Sequence, residues 1–253
     1  DTYNLFGIAK GNLHLFGVEK GKLHILGTDD LGRDVFSRTL YGTGTSMWIG
    51  IFGVLIAFVL ALIIGGIAGY LGGWIDFLIQ RATEIIRVVP VIPLFMGLAA
   101  AFPKDWSNVE VYFAMTIVLG LLGWPTLARR IRGHLLSERY EDYVLSAELS
   151  GASGRRVITK HLLPSFTSYI IVDVVITFPY TILSETALSF VGLGLRPPSI
   201  SWGILLQDAQ NIRAIEQAPW LFIPALFVVV AVLAFTILGD GLRDAADPYQ
   251  FSN

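Results

Sequence analysis

Between Arg38 and Asp76 the chain carries no formally charged residue, and Ser46 to Leu71 is almost wholly apolar. No other feature restricts the fold as much. A helix needs about 20 apolar residues to cross the hydrocarbon core of a bilayer. The charge-free runs Arg38–Asp76, Glu110–Arg129 and Gln217–Gly239 are long enough. The run between Arg87 and Lys104 is shorter and must borrow length from the residues before it. Ser165–Val191 is a fifth apolar stretch, interrupted by Asp173 and Glu185. Composition agrees. Charged residues make up 15% of the chain, against about 25% in soluble domains, hydrophobic residues 54%, and mean hydropathy is +0.63. The expected fold class is therefore all-α, a polytopic membrane protein with five transmembrane helices, surrounded by membrane lipid.

Other classes fall away on composition. A net charge of −2 offers no basic footprint for nucleic acid, and the absence of cysteine excludes disulfides and thiolate chemistry. The opening Asp1 and its Gly-punctuated segment lack the basic start and apolar core of a signal peptide. With no initiator Met, the native protein is expected to begin earlier, with a sixth, N-terminal helix that is missing from this chain.

Lys and Arg concentrate in cytoplasmic loops near helix ends. Arg129, Arg130 and Arg132 end the third run, and Arg139, Arg155, Arg156 and Lys160 follow. This places residues 129–164 in the cytoplasm. Alternation puts residues 1–42, 104–109 and 192–216 outside and the C-terminus inside. The five basic residues of 1–42 oppose this assignment, but they alternate with acidic ones in a long segment. Two parts result: an external N-terminal segment, 1–42, and a transmembrane domain, 43–253, whose cytoplasmic loop is 137–164.

In the first span Gly53, Ala57, Ala61, Gly65, Gly69 and Gly73 recur at every fourth residue. Such a series drifts only about 40° per step on a helix, giving a shallow spiral that a second helix can approach closely. Asp76, Gln80, Glu84 and Arg87 then recur at helical spacing among apolar residues, which reads as an interfacial amphipathic helix running into the second span through Pro90 and Pro93.

Loop 137–164 has the pattern of two short helices. Ser137 is placed to cap a helix with Glu138, Glu141 and Asp142 in its first turn, Gly151 to end it, and Ser153 to cap a second helix running to Pro164. Val157, Ile158, His161 and Leu162 share one face of the second helix. That face docks either on the chain's own spans or on a partner, and pattern alone does not choose.

The sequence Gly151-Ala152-Ser153, followed by Lys160-His161-Leu162-Leu163-Pro164, resembles the EAA loop of permeases from binding-protein-dependent ABC importers, in its oligopeptide/dipeptide form. Leu145-Ser146-Ala147 stands where the general pattern has Glu-Ala-Ala, with Glu148 adjacent. Three further segments resemble the same family in collinear order: Gly27-Thr28-Asp29-Asp30-Leu31-Gly32-Arg33-Asp34; Gly192-Leu193-Gly194-Leu195-Arg196-Pro197-Pro198 with Ser201-Trp202-Gly203; and Gly239-Asp240-Gly241-Leu242-Arg243-Asp244 with Asp247-Pro248. The resemblance spans residues 24 to 248.

It implies a type I ABC importer permease bundle that is not itself an enzyme. The chain has no G-x-x-x-x-G-K-[ST] phosphate loop, so it holds no cofactor, and ATP and Mg are expected on partner ATPase subunits. The implied partners are a second permease, usually different, one or two ATPase subunits and an external solute-binding protein. The implied place is a bacterial or archaeal cytoplasmic (inner) membrane. The ATPase-coupling residues carried over are Ala147, Glu148, Gly151, Ala152, Ser153, Arg155, Arg156, His161, Leu163 and Pro164. Short peptides are the implied solute, with oligosaccharides and metal chelates as alternatives.

Ionisable residues inside a membrane are functional candidates by default. Asp173 and Glu185, with Thr177, Tyr180 and Ser184 between them, are the expected lining of a translocation path; the alternative for Glu185 is bracing a neighbouring helix. His14, His24, His134 and His161 lack ligand spacing, and Asp29, Asp30 and Asp34 suit an Asp-stabilised turn better than calcium. A stand-alone secondary transporter or channel would need inverted repeats, which five or six spans scarcely accommodate.

Overall fold

The apolar runs become helices, and the polar segments between them fold against the two ends of the resulting bundle. The computed structural model describes residues 3–5, 9–11, 18–19, 22–103, 105–165, 167–210, 216 and 218–246. The N-terminal segment contributes two antiparallel ribbons, β1 (Tyr3–Leu5) with β2 (Ala9–Gly11) and β3 (Val18–Glu19) with β4 (Lys22–Leu23). His14 and residues 12–17 lie outside the described residues, as does the Asp247-Pro248 end of the C-terminal motif.

Helix α1 (Val35–Leu71) starts where the Asp34 carboxylate accepts the Ser37 N–H at 2.8 Å, satisfying one of the free donors of the first turn. It ends at Gly72, whose φ of +62° a residue with a Cβ would adopt only under strain. Helix α2 (Gly73–Val88) turns back from it, and α3 (Val91–Ala101) follows at an angle of 78°. Helix α4 (Asn108–Glu138) opens with a reciprocal capping box between Ser107 and Glu110. A helical hairpin follows, made of α5 (Asp142–Leu149), α6 (Gly154–Val157), a π-helical turn (Ile158–Leu162) and α7 (Leu163–Ser165). Helix α8 (Thr167–Phe190), α9 (Trp202–Asp208), a 3-10 turn (Pro219–Phe222) and α10 (Ile223–Ala246) complete the chain. The Pro197–Pro198 peptide bond is cis.

Among the described residues, four helical segments are long and apolar enough to cross a membrane: α1, α4, α8 and the stretch Pro219–Ala245; the bent α2–α3 pair makes a fifth if counted as one span. The amphipathic helix expected to run into the second span through Pro90 and Pro93 does so through this bend. Pro90 confines the preceding Val89 to extended backbone, φ −64° and ψ 119°, and so breaks the helix. The eleven residues of α3 rise about 16 Å, roughly half the hydrocarbon thickness.

The small-residue spiral is the α1–α4 seam. A Cβ on Gly65 would stand 2.5 Å from the Ala128 carbonyl oxygen, and one on Gly69 2.7 Å from the Leu135 Cβ. Gly53, Ala57 and Ala61 are buried along the same line. Gly73 leaves the series: it lies past the end of α1 at φ +55°, open to space, and serves the turn instead. On the other side of α8, Gly239 lets α10 approach at Ile176.

Ser137 does not cap a second helix as expected. α4 continues to Glu138, and the Ser137 hydroxyl donates to the His134 carbonyl at 2.8 Å, so the next helix begins at Asp142 after Glu141. Nor does Pro164 end the hairpin. The π-helical turn precedes it, with Leu163 N–H bonding to Ile158 O. Widening the helix by one residue there accommodates a proline that has no N–H and would crowd the preceding turn.

Candidate functional site

Helix α8 carries the expected path residues, and the structure separates them into two faces. Thr177, Tyr180 and Ser184, joined by Thr181, line a groove of about 420 Å³ between α8, α4 and the start of α3. Its remaining wall is mostly apolar, with Leu119, Leu122 and Ile176. Three hydroxyls along it donate to carbonyls four residues back: Thr177 to Asp173 at 2.7 Å, Thr181 to Thr177 at 3.3 Å and Ser184 to Tyr180 at 2.8 Å. Their protons are thereby committed, and their oxygens remain acceptors. Arg130 of α4 closes one end of the groove, with its Nη1 donating to Asp173 Oδ1 at 2.8 Å.

Glu185 does not join this face. It is fully buried on the other side of α8, where it accepts from the Ser46 hydroxyl at 3.0 Å and the Ser189 hydroxyl at 2.9 Å. Ser46 in turn accepts the Trp202 N–H, and Trp202 Nε1 donates to the Thr39 carbonyl. The carboxyl thus ties α1, α8 and α9 together, which is the bracing alternative. Gly194 and Gly203 explain why the loop approaches so closely: a Cβ on Gly203 would stand 2.5 Å from the Ser189 Cβ, and one on Gly194 would collide with Ser189 outright.

The same end of the bundle holds a polar clasp. Asp29 accepts N–H donors from Leu31 at 3.0 Å and Arg33 at 2.9 Å, and pairs with the Arg33 guanidinium at 2.7 Å and with Arg38. Asp208 of α9 stands 3.7 Å from Arg38. Trp220 Nε1 donates to the Thr28 carbonyl at 2.8 Å, and its ring occupies the space a Cβ on Gly27 would need. Asp29 and Asp34 therefore serve a turn and a helix cap. Among the described residues no group of three or more His, Asp or Glu is placed to hold a metal ion.

At the opposite end, the hairpin gathers the residues assigned to coupling. Gly151, at φ +81°, donates to Glu148 O at 2.9 Å, and Ala152 donates to Ala147 O at 3.0 Å. These two bonds are the paired closure of a Schellman motif. Ser153 starts α6 with extended backbone but makes no side-chain cap. Val144, Val157 and Leu162 are fully buried and pack with Leu135, Ile131 and Ile170 of the spans. The apolar face thus docks on the chain's own helices, with Ala147, Ala152, Ile158 and Leu163 at its margin. His161 is half-buried, and Glu148, Arg155, Arg156 and Pro164 are exposed.

Three residues were missed. Leu149 is 89% exposed beside the Gly151 turn; in sequence it passed as one more apolar helix residue. Tyr70 of α1 donates its hydroxyl to Glu148 at 3.1 Å and covers Gly154, a contact no local pattern signals. Arg130 had been read only as a marker of topology.

Residues 61–250 match the family described as the binding-protein-dependent transport system inner membrane component. The chain is 39% identical over 223 residues to the dipeptide transport system permease protein DppC of Bacillus subtilis (strain 168), covering 87% of this chain and 67% of that protein. It is 36% identical over 222 residues to the oligopeptide transport system permease protein OppC of the same organism, covering 87% and 70%. The glutathione transport system permease protein GsiD of Pectobacterium atrosepticum is 38% identical over 220 residues, covering 87% and 71%.

Proposed function

The chain belongs to the binding-protein-dependent transport system inner membrane component family, and from that premise we propose that it is one of two paired permeases in an ATP-driven importer of short peptides. The observation that carries the reading is the hairpin. Its inner face is committed to the bundle through Val144, Val157 and Leu162, while Leu145, Leu149, Arg155 and Arg156 stand exposed around the Gly151 turn. An exposed leucine pair ringed by cations suits a groove on another protein better than water.

The mechanism follows from how firmly that hairpin is held. Partner ATPase subunits bind ATP and Mg, and their closure moves the hairpin. Because its core is continuous with Leu135 and Ile131 of α4 and Ala61 of α1, the displacement enters the spans as a rigid tilt. The two-state bundle is thus biased by a partner's binding energy. The groove on α8 opens to one side of this chain, and a second permease completes it as the path. An external binding protein delivers the solute to the end bearing the Asp29 clasp. Peptides are the named solutes of the dipeptide and oligopeptide relatives, and the acceptor-rich wall suits their N–H groups. The setting is the cytoplasmic membrane, with α2 at its inner surface and Trp74, 70% exposed, as an interfacial anchor.

The test is the composition of the complex purified from native membranes by a tag on this chain, followed by dipeptide uptake in vesicles. A second permease with one or two ATPase subunits, and ATP-dependent uptake, are expected. A homo-oligomer without an ATPase would overturn the reading.

A further inference from the structure

Two Arg–Asp pairs join α4 to its neighbours, and they differ in kind. Asp76 of α2 holds Arg132 through two parallel contacts, Nε to Oδ1 and Nη2 to Oδ2, the fork geometry that fixes an arginine in place. Asp173 holds Arg130 through one hydrogen bond, Nη1 to Oδ1 at 2.8 Å. Among the described residues that is the whole of Arg130's polar contact. The Arg130 side chain is 42% exposed on the open side of the groove and that of Asp173 20%, so an incoming anion can reach the guanidinium without displacing any packed side chain. Arg132 is built in; Arg130 has donors to spare, and they lie on the groove.

The rest of the groove supplies the opposite chemistry. The hydroxyl oxygens of Thr177, Thr181 and Ser184 are left as acceptors, their protons being given to the backbone. From Asp173 to Ser184 the helix rises about 16 Å. An extended peptide of four or five residues, at about 3.3–3.6 Å each, covers that length. Its N–H groups would meet acceptors along the wall, and its carboxylate would meet donors at the Arg130 end.

We propose that Arg130 and Asp173 form an exchangeable charge station at one end of the groove, where the carboxylate of the transported peptide displaces Asp173 from the Arg130 guanidinium. Asp173 is the resident anion that re-pairs Arg130 once the peptide has left. The exchange trades one carboxylate for another, so no cation is stranded at any step, a costly state in a low-dielectric path. The fork of Arg130 can donate two hydrogen bonds to the incoming carboxylate, where it donates one to Asp173. The inference rests on reading the groove as the path of a peptide importer.

The test uses the complete complex in vesicles, with the same binding protein throughout so that its own preference is common to every variant. Uptake of dialanine is compared with uptake of dialanine amide, which lacks the carboxylate. The wild type is expected to favour the free acid. Arg130→Gln should shrink that preference about tenfold, and Arg130→Lys should retain part of it. Asp173→Asn should enlarge it, because the competing anion is gone. Equal slowing of both peptides by Arg130→Gln would overturn the station while leaving the importer reading intact. So would a change of the same sign in Asp173→Asn and Arg130→Gln, since a purely structural pair loses the same support from either side. Failure of the wild-type complex to take up either peptide would remove the importer reading, and the station with it.

Discussion

The hydroxyl of Tyr70, at the end of α1, donates to the Glu148 carboxylate of the hairpin at 3.1 Å, and its ring lies over Gly154. A Cβ on Gly154 would stand 2.9 Å from that ring, so the ring can lie this close to the start of α6 only because position 154 is a glycine. Gly154→Val should lift the hairpin from α1, leaving ATP hydrolysis in the complex but cutting uptake at least several-fold. Tyr70→Ala in the same chain should restore much of the uptake by making room. The double mutant decides the matter, because a non-additive rescue reports direct contact. Additive losses would show that the two residues act separately.

Gly151 tests the hairpin tip. Nothing lies within 4 Å of a Cβ built there, yet its φ is +81°, so the penalty for a side chain is backbone strain of about 1–2 kcal/mol. Gly151→Asn, which tolerates the left-handed region, should keep most uptake. Gly151→Asp adds a negative charge to a tip flanked by Arg155 and Arg156 and should uncouple hydrolysis from transport. Near-normal uptake by the Asp variant at equal expression would remove the hairpin from the coupling role.

Glu185 offers a separate test of the bracing network. Glu185→Gln keeps an acceptor for one of the Ser46 and Ser189 hydroxyls, which donate to different carboxylate oxygens, and turns its NH2 to the other hydroxyl, which can accept; it should leave the complex assembled. Glu185→Leu strands both hydroxyls in a fully buried site, at about 1–3 kcal/mol for each unpaired group. Its thermal midpoint should fall, with protease cutting appearing first between Gly192 and Ser201. An unchanged midpoint in the Leu variant would mean that the hydroxyls find other partners.

The separation of Glu185 from the groove was legible in advance. Counting about 100° per residue, Thr177, Tyr180 and Ser184 stay within about 40° of Asp173, whereas Glu185 stands about 120° away. Thr181, which the groove does include, stands at about 80°, at the edge of that face. The Gly151 turn was legible too, since a glycine between two polar-capped runs has few other uses. The 78° bend between α2 and α3 was not: Pro90 announces a break, but its angle depends on what packs on either side. Neither was the single-bonded pairing of Arg130 with Asp173, which joins residues 43 positions apart, nor the clasp of Asp29 with Asp208, for the same reason. Apolar runs and turn residues act locally, while the partner of a lone charge is chosen by helix packing.

That clasp carries a pH dependence of mixed sign. Burial pushes the Asp29 carboxyl up, but the Arg33 and Leu31 N–H groups and the Arg33 guanidinium outweigh it and hold it below its ordinary value of 3.8. Burial also pushes Asp208 up; Arg38 and Arg33 oppose this, Asp29 and Asp30 add to it, and the net result lies above 3.8. For Asp29, depressed on folding, the stabilisation is complete above 3.8 and is lost as pH falls through its lower folded value. For Asp208, raised on folding, the contribution is complete below 3.8 and is lost as pH rises through its higher folded value. Acidification from neutrality should therefore first tighten the clasp as Asp208 takes up its proton, and loosen it only below about pH 3.8, when Asp29 follows. Hydrogen exchange over residues 27–38, corrected for intrinsic rates, should show protection rising and then collapsing. Asp29→Asn should show weak protection already at neutral pH and no further collapse in acid. Protection that declines steadily from neutral pH in the wild type would rule out Asp29 as the group that holds the loop.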